Sequence, residues 1–265
     1  MGLFENRVVL ITGGSSGIGR AAALAFARED AGVAIAARGV ERAESVVREI
    51  EASGGRCLYI PTDLSRSVDV ERMVRETVRA YGRLDFAFNN AATDEGILIA
   101  TADATEDQYD RAMAVNLKAV WLGMKFEIQQ MLAQQPPGGA IVNTSSLNGL
   151  GGARLASIYS AAKAGVIALT KAAAQEYALS HIRVNALVAG GYRTPMLERV
   201  IDRHSGGDPA QRAAVEEKYT SMIPMGRIGD PSEAATAAVW LCSPGSSYVT
   251  GHSLIVDGGW SCALR

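Results

Sequence analysis

The sequence predicts an α/β fold, a doubly wound sheet of about seven parallel strands with helices on both faces. Three observations carry this reading. Short apolar runs alternate with longer segments of helical period along the whole chain. Most of these runs are nearly continuous in apolar character, as strands covered on both faces must be. The first run passes directly into a glycine-rich turn that opens a helix.

The strand candidates are "RVVLIT" (7–12), "GVAIAA" (32–37), "RCLYIP" (56–61), "LDFAFNN" (84–90), "AIVNTS" (140–145), "IRVNALV" (182–188) and "SLIVDG" (253–258). Helices are expected over 17–29, 41–53, 67–81, 105–133, 157–178, 195–203, 210–222 and 231–242. In the third of these, Asp69, Glu71 and Glu76 alternate with Arg72, Arg75 and Arg79 and mark a solvated face. Strict alternation implies right-handed crossovers and a single domain over 1–265. In such sheets ligands bind beyond the carboxyl ends of the strands, near the switch point. The least regular stretch, 190–224, follows a strand end and holds Gly206 and Gly207 between short charged helices. It is expected to cover a substrate there.

Composition narrows the function classes. The chain has 265 residues, 48% of them hydrophobic, enough for a substantial core. A net charge of −2 with interspersed signs leaves no footprint for nucleic acid. The start lacks the layout of a signal peptide, and no apolar run reaches membrane-spanning length. Three scattered cysteines, Cys57, Cys242 and Cys262, suggest reduced thiols and a cytoplasmic location. His181, His204 and His252 are equally scattered, and no metal site is expected.

"VVLITGGSSGIGRAAALAFA" reads strand, turn, helix. Gly13 allows the tight turn, Gly17 the approach of backbone to a pyrophosphate, and Gly19 close helix–strand packing. The helix N-terminus offers free N–H groups to an anion. Ser15 or Ser16 adds a hydroxyl contact. The next strand ends at Ala37, with Arg38 following, where an acid would bind the ribose hydroxyls of NAD. The missing carboxylate removes repulsion toward a 2′-phosphate, and the guanidinium can bind it bidentately. NADP(H) is therefore expected as the preferred cofactor, with NAD(H) as the alternative.

"IYSAAKAGVIALTKAAAQEY" places Tyr159 and Lys163 one helical turn apart on one face. A free phenol has a pKa near ~10, and a nearby ammonium is expected to lower it. Such a tyrosine serves as general acid for a carbonyl or base for an alcohol. Ser145 and Ser146 end a strand on the edge where a ligand should lie, and a hydroxyl there can orient a substrate oxygen. Asn116 sits in a mostly apolar helix and needs a partner. A bond to neighbouring backbone and a water-relay role are both open.

In combination and order, "TGGSSGIG" (12–19), "NNAA" (89–92), Asn116, "SS" (145–146), "YSAAK" (159–163), "RVNALVAGG" (183–191) and "TGHSLIVDGG" (250–259) resemble a short-chain dehydrogenase/reductase of the main, roughly 250-residue type. The resemblance spans essentially the whole chain and implies a Rossmann-like fold. It implies that Ser146, thirteen positions before the tyrosine, polarises the substrate oxygen and that Tyr159 transfers the proton. Lys163 would bond the nicotinamide ribose, and Asn116 would position a water linking Lys163 to solvent. Cofactor contacts are implied for Ile18 and Gly19 at the phosphates and for Asp63 and Leu64 near the adenine. Asn89 and Ala91 are implied beside the adenosine ribose, and Gly190 and Thr194 near the nicotinamide.

Two residues depart from the family pattern: Ala92 stands in place of a usual Gly, and Ala189 in place of a usual Pro. The resemblance also implies a homo-oligomer, a tetramer or a dimer, and the apolar tail "GGWSCALR" is expected to dock on a neighbouring subunit. The substrate is expected to be a small ketone, aldehyde or secondary alcohol, with Leu147, Asn148, Arg154, Leu155, Tyr192 and Met196 around it. Three alternatives stay open. They are an NAD-linked alcohol or sugar dehydrogenase, a 3-oxoacyl thioester reductase, and a dinucleotide-binding protein without catalysis.

Overall fold

The structure is a computed structural model, and residues 2–262 are described. The seven apolar runs form β1 (Val8–Thr12), β2 (Gly32–Ala37), β3 (Arg56–Pro61), β4 (Phe86–Asn89), β5 (Gly139–Ser146), β6 (Ile182–Ala189) and β7 (Ser253–Val256). They pair in parallel in one sheet, in the order β3-β2-β1-β4-β5-β6-β7. This is a Rossmann-like doubly wound sheet. The chain leaves β1 toward β2 and β3, then returns to β4 on the other side. The crevice between β1 and β4 is the switch point.

The helices are α1 (Gly17–Arg28), α2 (Val40–Ala52), α3 (Ser67–Tyr81), α4 (Glu106–Met113), α5 (Ala119–Ala133), α6 (Asn148–Gly151), α7 (Ser157–Tyr177), α8 (Pro195–His204), α9 (Pro209–Ser221) and α10 (Pro231–Cys242). Strand alternation sorts the core into two layers. Val9, Ile11, Val33 and Ile35 face Ala23 and Phe26 of α1, Val46 and Ile50 of α2, and Ala238 and Leu241 of α10. Leu10, Ala34 and Ile141 face Met73 and Val74 of α3, Leu122 and Ile128 of α5, and Ala173 and Ala174 of α7. Helix starts follow local chemistry. Asp230 and Glu233 form a capping box on α10 with Pro231 in its first turn, and Thr194 and Asp208 cap α8 and α9, each followed by Pro.

One expected helix is corrected. The segment 105–133 is not continuous, because a π-helical turn, Ala114–Lys118, separates α4 from α5. Its cause lies in Asn116, which is fully buried. The Asn116 Oδ1 accepts from the Thr93 N–H at 2.9 Å, and Nδ2 donates to the Thr93 carbonyl at 3.1 Å. The two bonds bind the helix to the loop after β4, and the widened turn accommodates them.

Candidate active site

A cleft of 1240 Å³ runs along the carboxyl ends of the strands. Single small-ligand sites span about 300–1,000 Å³, so this one has room for a dinucleotide and a substrate together. At the switch point the Thr12 hydroxyl accepts from the N–H groups of Asn90 and Ala91, at 2.9 and 3.1 Å. These bonds hold the ends of β1 and β4 level and leave the crevice open above them.

The first wall is the glycine turn. Gly13, Ser15, Ser16, Gly17 and Ile18 line the cleft. Gly13 and Gly17 have φ of 69° and 52°, which favours glycine. A Cβ on Gly17 would also meet the Thr194 methyl at 3.0 Å, so the turn and the start of α8 approach across the cleft. Ser16 makes no side-chain cap bond to α1, which leaves first-turn N–H groups to face an anion. Gly19 stands outside the lining. A Cβ there would meet the Gly13 carbonyl at 2.3 Å, so its place is in packing.

The second wall is formed where β2 and β3 end. Arg38 and Arg42 line it with Asp63, Leu64 and Ser65. The Asp63 carboxylate accepts from the Ser65 hydroxyl and N–H at 2.8 and 3.0 Å. These bonds, aided by the Arg38 charge, hold its pKa below the usual carboxylate range. The residues present fit a dinucleotide, since a helix N-terminus, a side-chain-free turn and a cationic strand end line one groove.

The third wall carries Ser146, Tyr159 and Lys163. Tyr159 and Lys163 lie on α7, both buried. The Lys163 Nζ donates to the Thr144 carbonyl at 2.8 Å and stands 5.8 Å from the centre of the Tyr159 ring. Ser145 points the other way, its hydroxyl donating to the Lys163 carbonyl at 2.8 Å, which anchors α7 to β5. Ser146 stays on the cleft side and accepts from the Asn148 N–H at 3.2 Å. Ala91, Ala92, Ala189, Gly190 and Thr194 complete this end.

The expected lowering of the phenol pKa is corrected. Burial pushes Tyr159 up to about 12, outweighing a hydrogen bond with Ser146, and the Asp94 charge adds to the rise. Burial also pulls the Lys163 ammonium down to about 8. The lysine therefore does not offset the desolvation of its neighbour.

Two further residues do not reach the cleft. Asn89 is corrected as a lining residue, because its Nδ2 donates to Glu127 Oε2 at 2.9 Å and to Asn143 Oδ1 at 3.0 Å, beneath the sheet edge. Its neighbour Asn90 lines the cleft instead, with Nδ2 on the Thr12 carbonyl at 3.1 Å. The pleat decides which of two adjacent asparagines faces the crevice. Asn116 lies behind the wall, with both side-chain groups held by Thr93. Arg42 and Thr144 line the cleft although motif reading passed over them, as does Asn90, which stood in "NNAA" without a role of its own. The only sequence signals were a second arginine four residues after Arg38 and the doubled Asn.

The segment 190–224 stands over the substrate end, where Met196, Val200, Tyr219 and Met222 line the cleft with Leu147 and Leu155. Arg199 and Arg203 of α8 both reach Asp94 in the loop after β4, at 3.3 and 3.0 Å. Tyr192 also lines the cleft, although its hydroxyl is committed to the Val256 carbonyl at 2.7 Å. Trp260 packs edge-on against Tyr219 of the same chain, with ring centres 6.1 Å apart, and lines the cleft. The rest of the tail, 263–265, lies outside the described residues.

Residues 13–261 match a family model described as enoyl-(acyl carrier protein) reductase. The chain is 41% identical to the A-factor type gamma-butyrolactone 1′-reductase (1S-forming) of Streptomyces virginiae, over 98% of this chain and 97% of that one. It is 39% identical to the 2,5-dichloro-2,5-cyclohexadiene-1,4-diol dehydrogenase of Sphingobium indicum, over 97% of this chain and 98% of the other. The crystal structure of levodione reductase superposes with a TM-score of 0.92 at 35% identity, covering 98% of this chain and all of that one. Fold, cleft and relatives define an NAD(P)-dependent oxidoreductase acting on the CH–OH/C=O pair. The chain belongs to the short-chain dehydrogenase/reductase family.

Proposed function

We propose that this enzyme is an NADP(H)-preferring reductase of ring-bearing ketones, interconverting them with secondary alcohols. The observation that carries the reading is the convergence of Ser146, Tyr159 and Lys163 on one cleft wall, facing a dinucleotide groove. The bound nicotinamide supplies the hydride chemistry. Ser146 orients and polarises the substrate oxygen, and Tyr159 gives it a proton. The phenol is protonated across neutral pH, the form that gives a proton to a carbonyl oxygen. Lys163 holds the nicotinamide ribose. Asn116 is held by Thr93 through one donor and one acceptor of its amide, and its place in the proton relay is at the π turn behind the cleft wall.

Gly13, Ser15, Ser16, Gly17 and Ile18 cradle the phosphates, Asp63 and Leu64 flank the adenine, and Ala91, Gly190 and Thr194 border the rest of the dinucleotide. The ring preference is supported by the mainly apolar substrate end and by a relative whose name denotes a ring diol dehydrogenase. α8 and α9 cover this end. The reading includes a cytoplasmic homo-oligomer, a tetramer by family resemblance. The half-exposed Tyr109 and Trp121 on the α4–α5 face support an assembly. Sedimentation of the purified chain as a monomer would remove that part.

The direct test is NADPH consumption against cyclic ketones, linear ketones and 3-oxoacyl thioesters. Turnover confined to the thioesters would replace the ring-ketone reading. The cofactor preference has its own test. β2 ends at Ala37, so Arg38 is the first residue beyond the strand, beside the cleft. Ala37→Asp combined with Arg38→Ala is expected to weaken NADPH binding by about 100-fold and leave NADH within about threefold, as two charge-assisted bonds are exchanged for repulsion. Fluorescence titration of both nucleotides reads this. An unchanged NADPH/NADH affinity ratio would refute the role of Arg38.

A further inference from the structure

We propose that Thr144 is a positioning residue for the nicotinamide half of the dinucleotide, engaging it through its side-chain hydroxyl. The inference rests on the dinucleotide reading above and concerns a residue which no motif singles out.

Thr144 is 7% exposed and lines the cleft. Its Oγ1 is buried without any hydrogen-bond partner among the described residues. Buried hydroxyls are nearly always bonded, because leaving water without a new partner is costly. The residue lines the cleft while this oxygen is turned under its surface, so a rotation about χ1 would bring the hydroxyl to a ligand group that completes the bond. A valine of the same shape would fill the position without the penalty, so packing alone does not account for threonine here.

The strand layout says which part of the ligand is met. β4 ends at Asn89, paired with Asn143 of β5. Thr144 is therefore the first residue of β5 to project beyond that edge, while its other flank still pairs with Leu187 of β6. Alternation puts its side chain on the sheet face shared with Ser146, opposite Ser145, which turns to α7. Its own carbonyl takes the Lys163 ammonium at 2.8 Å. That is the only hydrogen bond of Nζ among the described residues, although an ammonium has three donors. The side chain of Thr144 and the ammonium bonded to its carbonyl are thus both under-used. The arginine end of the cleft, by contrast, starts at β2, three strands away in the sheet order. At about 4.8 Å per strand that is roughly 14 Å, too far for one hydroxyl to serve both ends. The group that Thr144 meets is a hydroxyl or carboxamide of the nicotinamide nucleoside.

Thr144→Val and Thr144→Ser test this by fluorescence titration of the full chain with NADPH and NADH, and by displacement with 2′,5′-ADP. Thermal melting is followed without ligand. The valine variant is expected to bind both dinucleotides about tenfold more weakly, the loss of one hydrogen bond. Its affinity for 2′,5′-ADP stays unchanged, because that fragment lacks the nicotinamide half. Its ligand-free melting temperature stays level or rises, and the serine variant recovers wild-type affinity to within about twofold. Unchanged dinucleotide affinity in the valine variant overturns the proposal. So does an equal loss for 2′,5′-ADP, which would report a distorted groove, and so does a serine variant no better than valine. The wild-type titrations separate this from the reading beneath it. Equal wild-type affinity for NADPH and NADH removes only the 2′-phosphate preference, and absence of binding to either removes both.

Discussion

Tyr159→Phe is expected to lower turnover for carbonyl reduction by about 10²–10⁴-fold while dinucleotide affinity stays within about twofold. The substitution removes one oxygen and keeps the ring, so the packing of α7 on the cleft wall survives. Tyr159 is 8% exposed, and the oxygen lost is the one that interacts with Ser146. Lys163 is turned to the Thr144 carbonyl, and Ser145 is committed to α7. Steady-state rates on any accepted ketone, paired with cofactor titration, read the two effects separately. Equal turnover in both proteins would refute the proton-transfer role, and collapse of cofactor binding would show that the ring, not the hydroxyl, was being tested. The same geometry sets a pH dependence for cofactor binding. The Lys163 ammonium loses its charge as pH rises through about 8, so cofactor affinity should fall above that value.

Glu127→Gln is expected to stabilise the protein at alkaline pH and to flatten its pH–stability profile. Glu127 is fully buried on α5. Its Oε2 accepts from Asn89 at 2.9 Å, while Oε1 has no partner among the described residues. Asn143, bonded to Asn89, passes the cluster on to Thr170 of α7 at 3.0 Å. Burial with little compensation pushes the carboxyl up to about 8. The sign follows from proton counts. Between the ordinary value of 4.5 and about 8, the folded chain holds a proton that the unfolded chain has released. Stability therefore falls as pH rises through that window, and the penalty is complete above it. Glutamine keeps the shape and carries no charge at any pH. The variant should match wild type near pH 5 and exceed it by about 2–4 kcal/mol near pH 9, several degrees in melting temperature. Urea unfolding at three pH values checks this. Parallel profiles for the two proteins would show that Glu127 ionises in the fold at little cost.

Much of this molecule is local, and the sequence determined that part by itself. Each inner strand is a short apolar run whose side chains have nowhere to go but a sheet covered on both faces, while the edge strands β3 and β7 stay partly exposed. The glycine turn, the i, i+4 pairing of Tyr159 with Lys163, and the arginine following β2 are likewise written in neighbouring residues. What only the tertiary structure decided involves atoms from distant segments. The helix expected over 105–133 breaks at Asn116 because Thr93, 23 positions earlier, takes both ends of its amide. Asn89 turns inward and Asn90 outward because Glu127 and Thr12 wait on opposite sides of the β4 end. The phenol rises instead of falling because burial, which no spacing reports, outweighs its hydrogen bond with Ser146. Thr144 acquires meaning only because β4 stops one residue short of it, leaving the residue on the cleft wall and its hydroxyl without a partner among the described residues. Chain-local patterns specify which groups exist and on which face they lie. Solvent exclusion and hydrogen-bond supply are properties of the packed whole, and they set what those groups do.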